Sequence, residues 1–117
     1  MFAFETKDIY WKAFRANKKI YKFLKANNTI PLYYKNQFGR ASLSIMLNIA
    51  EGSAKFSIKD RKNFLIIARA SAFECASLLN FLFDGGEITL ELKTELYSSF
   101  DEISRILYIM IKNLDSK

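Results

Sequence analysis

Few side chains in this sequence are suited to catalysis. The chain has no histidine, the residue that most often serves as a general base or a metal ligand. Its one cysteine, Cys75, has no histidine to activate it and falls on an apolar helical seam, so we predict a packing role. Gly85 and Gly86 are not followed by the Lys-Ser/Thr of a phosphate-binding loop. We therefore predict a protein without catalytic residues, metal site or cofactor, and not an enzyme.

Two carboxylates, Glu51 and Glu74, are the remaining candidates for acid–base chemistry. We instead predict structural pairs with Arg40 and Arg69, which when buried would cost roughly 3–5 kcal/mol to break. Arg40 and Glu51 share one narrow stripe with other polar residues on an otherwise apolar helix. We expect these side chains to be partly buried and hydrogen-bonded to one another or to a neighbouring helix. The predicted polar network comprises Gln37, Arg40, Ser44, Asn48, Glu51, Arg69 and Glu74.

A basic surface on the first predicted helix is the feature that points to a partner. Residues 1–30 hold seven Lys or Arg against Glu5 and Asp8, so this segment supplies most of the net charge of +6. The cations fall within about 140° of a helical wheel, and the only tryptophan lies in the same sector. In such an arrangement the cations contact phosphates while the tryptophan stacks on an unpaired base. We call this set the basic face: Trp11, Lys12, Arg15, Lys18, Lys19, Lys22 and Lys25.

Two other interpretations of the basic face stay open at this point. In the first it is a solvated helix surface, with Trp11 covered by a neighbouring subunit or by lysine stems. In the second it docks an acidic protein, and any contact with nucleic acid is incidental.

The elements that position these residues are helices, because apolar residues recur at alternating spacings of four and three. The four predicted helices cover about residues 7–26, 34–52, 58–83 and 89–113 of a single domain, 1–117. Pro31 separates the first two, Gly85 and Gly86 end the third, and Ser57 and Thr89 are candidate N-caps. Short connections between long helices predict an all-α, antiparallel up-down-up-down four-helix bundle.

The third predicted helix is apolar on more sides than a bundle helix needs. Besides its core seam it carries a second set of apolar residues, which we call the apolar stripe: Ile66, Ala70, Phe73 and Phe81. The fourth helix has spare apolar residues in Ile106, Tyr108 and Ile109. A helix in a lone bundle shows one face to water, so we predict that further copies of the chain cover this surface.

Residues 64–83 also resemble a membrane span in length. Arg69 and Glu74 lie at their centre, where hydrocarbon would cost each about 2.5–3.5 kcal/mol, so we expect no membrane partner. The lone cysteine and the N-terminus without a signal-peptide pattern predict a cytoplasmic protein.

A motif on the second predicted helix resembles a known family. It consists of Gln37, Arg40–Ala41, Ser44–Ile45 and Asn48–Ile49–Ala50–Glu51–Gly52. The pattern resembles the bacterial four-helix-bundle proteins encoded by intervening sequences of large-subunit rRNA genes. The accessory variability determinant proteins of diversity-generating retroelements are related to these. The likeness extends through Trp11–Lys12–Ala13, Pro31, and Phe64 with Ala68–Arg69–Ala70–Ser71 and Glu74.

The resemblance implies a homo-oligomeric, pentameric ring. Through the retroelement relatives it also implies RNA or DNA and a reverse transcriptase as partners. Two departures from the family pattern matter. The interval between Pro31 and Gln37 is shorter than usual and lacks an acidic residue, which predicts that helix 2 begins about a turn late. Gly39 stands where arginine is usual, which removes a positive charge beside Arg40.

The sequence therefore predicts a non-enzymatic, oligomeric, nucleic-acid-binding helical bundle. It would act as an RNA or DNA chaperone or as an accessory scaffold for a partner of the reverse transcriptase type. The alternative is a protein–protein interaction scaffold with no physiological nucleic-acid ligand.

Overall fold

The computed structural model describes residues 1–117, which form an N-terminal 3₁₀ turn and four α-helices. The turn covers Ala3–Thr6, and the helices are α1 (Asp8–Ala26), α2 (Leu32–Ser53), α3 (Ile58–Asp84) and α4 (Leu90–Asp115). Each helix packs on the next one along the chain and α1 also packs on α4, whereas α1 does not contact α3. This arrangement confirms the predicted four-helix bundle, with α1 and α3 on one diagonal.

The predicted seams form the core of the bundle. Fully buried side chains come from every helix, among them Ile20, Phe38, Leu79 and Phe100. These positions follow the alternating four-and-three spacing that places side chains on one helix face. The same spacing fixes the outward direction of the polar residues that could bind a partner.

The start of α2 corrects one prediction. The helix begins at Leu32, directly after Pro31, rather than at Tyr34 or a turn late. The carbonyl of Pro31 accepts hydrogen bonds from the N–H groups of Tyr34 at 3.0 Å and Lys35 at 3.2 Å. Proline's fixed φ, −55° at this position, suits the start of a helix and does not delay it.

The other helix ends have identifiable stop and start signals. The Ser57 hydroxyl accepts a hydrogen bond from the N–H of Asp60 at 3.0 Å, and Thr89 does the same for Leu92 at 3.2 Å. Gly86 follows α3 with a φ of 75°, a conformation that favours glycine. These caps confirm the predicted turn between α3 and α4 and the N-termini of both helices.

Gly52 is buried near the C-terminal end of α2, where α2 and α3 approach each other closely. A Cβ atom at this position would lie 3.1 Å from the Cβ of Phe64. Such a distance is below ordinary van der Waals contact, so the family motif ends in glycine here for a packing reason.

The apolar stripe on α3 faces solvent in the single chain. Phe73 is 56% exposed and Phe81 58% exposed, and Ile109 of α4 is 58% exposed. Ile106 differs from the expectation, since it is half-buried against the core. By length and composition alone, α3 also meets the criteria for a membrane-spanning helix, although one of its faces forms the core of the bundle.

Candidate nucleic-acid interface

Trp11 is held against the N-terminal 3₁₀ turn. Its indole Nε1–H donates a hydrogen bond to the carbonyl oxygen of Glu5 at 2.9 Å. The ring centroid lies 5.0 Å from that of Tyr10 and 5.3 Å from that of Phe14. The half-buried side chain therefore anchors the turn to α1. In the single chain the ring therefore does not stand free among the cations.

Two cations of the basic face are paired with acidic residues of α4. Lys12 lies 3.2 Å from a carboxylate oxygen of Glu102, and Lys19 forms a salt bridge with Glu95. All four side chains are partly exposed, so each pair contributes no more than about 1 kcal/mol. Their charges are nevertheless partly compensated in the single chain, so the other four cations of the basic face are the more available ones for phosphate.

The remaining cations of the basic face make no salt bridge. They are Arg15, Lys18, Lys22 and Lys25, and all four are exposed. From residue 9 to residue 26, α1 contains no acidic residue. The outward surface of α1 is therefore a continuous positive strip that runs about 15 Å from Arg15 to Lys25.

Sequence reasoning missed a groove between α1 and α2, beside this strip. The groove has a volume of about 390 Å³ and an apolar floor of Ile20 and leucines from both helices. Around its rim lie Asn17, Tyr21 and Lys25 of α1 with Lys35 and Asn36 of α2. The four-residue spacing of the α1 members was the available signal, because it aligns them on one edge of the helix.

Part of the polar network forms between α2 and α3. Gln37 Nε2 donates to Glu74 Oε2 at 2.5 Å. Asn48 Nδ2 donates to Ser44 Oγ at 2.9 Å, and Ser71 Oγ donates to the same hydroxyl at 2.9 Å. These bonds fix the contact between the two helices along the family motif.

Arg40 and Glu51 do not pair, contrary to prediction. Both side chains are exposed and neither forms a salt bridge. Eleven residues of one helix separate them by about 16 Å along its axis, so they cannot meet. Arg40 therefore leaves an exposed positive charge near the middle of α2, and Glu51 leaves a negative one near its C-terminus.

Arg69 also departs from its predicted pairing with Glu74. Its guanidinium turns toward α4 and lies 4.7 Å from the ring centroid of Phe73 and 5.3 Å from that of Tyr108. Its Nε atom is buried without a hydrogen-bond acceptor. An unsatisfied buried donor of this kind typically costs about 1–3 kcal/mol.

The groups associated with catalysis are not assembled in this chain. No three His, Cys, Asp or Glu side chains lie close enough to hold a metal ion. Cys75 is fully buried. Burial, with a smaller contribution from the charge of Glu74, raises the pKa of its thiol far above the ordinary range, so little thiolate forms.

Residues 5–109 match the family model of the 23S rRNA-intervening sequence proteins. The chain belongs to this family. It is also similar to a crystal structure of a Bacteroides thetaiotaomicron protein of unknown function from the S23 ribosomal protein family. The two share 27% identity with a TM-score of 0.84, over 89% of this chain and 95% of that one. A search of curated proteins gave no match.

Family membership confirms the resemblance drawn from the α2 motif. The family and the structural relative are not described as enzymes. The relative matches nearly the full length of the bundle, so the family fold includes all four helices. The basic face and the groove therefore lie within the residues that the family model matches.

Proposed function

We propose that this protein is a non-enzymatic, self-associating helical bundle that binds single-stranded RNA or DNA through the basic face. It would serve as a nucleic-acid chaperone or as an accessory scaffold for a polymerase of the reverse transcriptase type. The observation that supports this most directly is the strip of unpaired cations on α1, from Arg15 to Lys25. Binding of this kind depends on phosphate charge, has little sequence preference and weakens with salt.

Charge reversal with a matched control tests the proposal. The variant Lys18→Glu/Lys22→Glu changes two exposed, unpaired cations at the centre of the strip. The control Lys7→Glu/Lys59→Glu makes the same change in net charge at two exposed lysines outside the strip. We expect the first variant to lose binding to single-stranded RNA and the control to keep most of it. Equal losses would mean that only net charge matters, and unchanged binding in both would refute the proposed interface.

Self-association is the second part of the proposal. The apolar stripe supports it, because Phe73 and Phe81 are large and more than half exposed. Family resemblance leads us to expect a pentamer. Sedimentation equilibrium gives the assembly mass directly, and a monodisperse single subunit at micromolar concentration would refute this part.

The alternative is a protein-binding scaffold without a nucleic-acid ligand. The exposed cations Arg15, Lys18, Lys22 and Lys25 would serve it as well, because lysines can pair with carboxylates of an acidic partner as Lys12 and Lys19 do with those of α4. Affinity purification with and without nuclease separates the two functions. A scaffold keeps its protein partner after digestion, whereas a partner bridged by nucleic acid is lost.

A further inference from the structure

We propose that the groove between α1 and α2 binds one unpaired base of a single strand, with Tyr21 stacking on it. This rests on the proposed function, since the strip on α1 would hold the neighbouring phosphates. The groove adds what the strip lacks, namely an aromatic surface beside an apolar floor. Tyr21, ten positions further along the same helix, would therefore provide the base stacking that the sequence suggested for Trp11.

Tyr21 has the exposure that stacking requires. Its side chain is 59% exposed, whereas the indole of Trp11 is half-buried and hydrogen-bonded to Glu5. The ammonium of Lys25 lies 5.7 Å from the Tyr21 ring centroid. A base stacked on this ring would therefore have a cation beside its own phosphate.

The chemistry of the rim matches a nucleotide. Lys25 and Lys35 provide charge from both helices, and no carboxylate lines the groove. The amides of Asn17 and Asn36 supply both donors and acceptors, which suit the edges of a base. Because two cations and no carboxylate line the groove, its charge is complementary to a phosphodiester strand.

Gly39 keeps the groove open. It lies on the α2 side of the groove, and a Cβ atom there would lie 3.7 Å from a methyl carbon of Leu24, an ordinary contact. An alanine is therefore accommodated, while a longer side chain would project into the space a base needs. Gly39→Leu provides a second variant that blocks the groove without removing an aromatic residue or a charge.

The test compares short oligonucleotides with and without bases. Fluorescence anisotropy measures the affinity for a labelled hexauridylate and for an abasic strand of the same phosphate number. We expect the native protein to prefer the base-bearing strand by about 5- to 150-fold, as stacking of one base gives. Tyr21→Leu and Gly39→Leu should lose this preference and bind both strands with the abasic affinity, while Tyr21→Phe should retain it.

Matched controls make each outcome decisive. Tyr33 is an exposed tyrosine on α2 that does not line the groove, so Tyr33→Leu should keep the preference. Loss of the preference in Trp11→Phe but not in Tyr21→Leu would overturn the groove assignment and leave the proposed function standing. A changed sedimentation mass for Tyr21→Leu would overturn it in favour of a contact between copies. Failure of the native protein to bind either strand would refute the proposed function itself.

Discussion

The salt dependence of binding to a short single strand follows from the number of unpaired cations. For single strands, log K falls with log salt by about 0.7 per phosphate contacted. If Arg15, Lys18, Lys22 and Lys25 each contact one phosphate, the slope is about −2.8. If Lys12 and Lys19 also contribute, as the sequence alone suggested, it is about −4.2.

These slopes differ enough to measure. Between 50 and 200 mM salt, four contacts lower the affinity about 50-fold, whereas six lower it about 300-fold. The assay is anisotropy of a labelled hexanucleotide with a 5′-phosphate, which gives it six phosphates, at several salt concentrations and with protein in excess. A short strand is needed because the strip on one subunit is only about 15 Å long, and a longer strand would reach further subunits.

Two single variants assign the slope to particular residues. Lys18→Gln removes an unpaired cation and should reduce the magnitude of the slope by about 0.7. Lys19→Gln removes a cation already paired with Glu95 and should leave the slope unchanged. Equal reductions in both variants would refute the inference that the pairs with α4 persist in the complex. A slope near zero in the native protein would refute phosphate contact altogether.

Three further predictions concern stability and assembly. Gly52→Ala should destabilise the fold by about 1–3 kcal/mol through overpacking, whereas Gly39→Ala should stabilise it by about 0.4–1 kcal/mol, both measured by urea denaturation. The raised pKa of the Cys75 thiol should make it unreactive to thiol reagents at pH 8 until the protein is unfolded. The thiol ionises at a lower pH in the unfolded chain than in the folded one. Its contribution to the free energy of unfolding should therefore be fully present below about pH 8.5 and decline above it, as measured by unfolding at several pH values. Arg69→Met should leave the stability of the single subunit nearly unchanged or raise it, because it removes an unsatisfied donor. It should weaken self-association, measured by sedimentation, if a second copy covers the surface around Phe73 and Tyr108, where the guanidinium lies.

The helices and their core were predictable because their signals are local. Alternating four-and-three spacing decides which side chains share a face, and the caps at Ser57, Gly86 and Thr89 depend on residues within one turn. The early start of α2 is the exception. There the family resemblance suggested a delay, whereas Pro31 occupies the N-cap and α2 begins at Leu32.

The pairing of the basic face was not predictable from one helix alone. Lys12 and Lys19 are seven residues apart on α1, and Glu95 and Glu102 are seven apart on α4. In antiparallel neighbours these equal spacings allow both pairs to form at once. The register that brings them together, however, depends on contacts of the whole core.

A helical wheel shows the direction in which each side chain points, but not which other parts of the chain lie there. It placed Trp11 in the outward sector, but the 3₁₀ turn at Ala3–Thr6 packs against its indole. It aligned Arg40 with Glu51 while the rise along the axis kept them apart. Both errors arise from the projection itself. A wheel omits distance along the helix axis, and it shows no residue outside the helix.

In the proposed function, the positions of α1 and α3 would separate nucleic-acid binding from self-association. The two helices lie on a diagonal and do not contact each other, so the apolar stripe and the basic face point away from opposite corners of the bundle. Copies that meet through α3 therefore leave α1 accessible on every subunit. Each subunit then presents its own strip and groove, and a long strand that reaches several of them gains affinity from the raised effective concentration. A hexanucleotide is too short to gain affinity in this way. The ratio of long-strand to short-strand affinity therefore measures the effect of assembly. The preference for a base-bearing over an abasic strand measures the contribution of the groove.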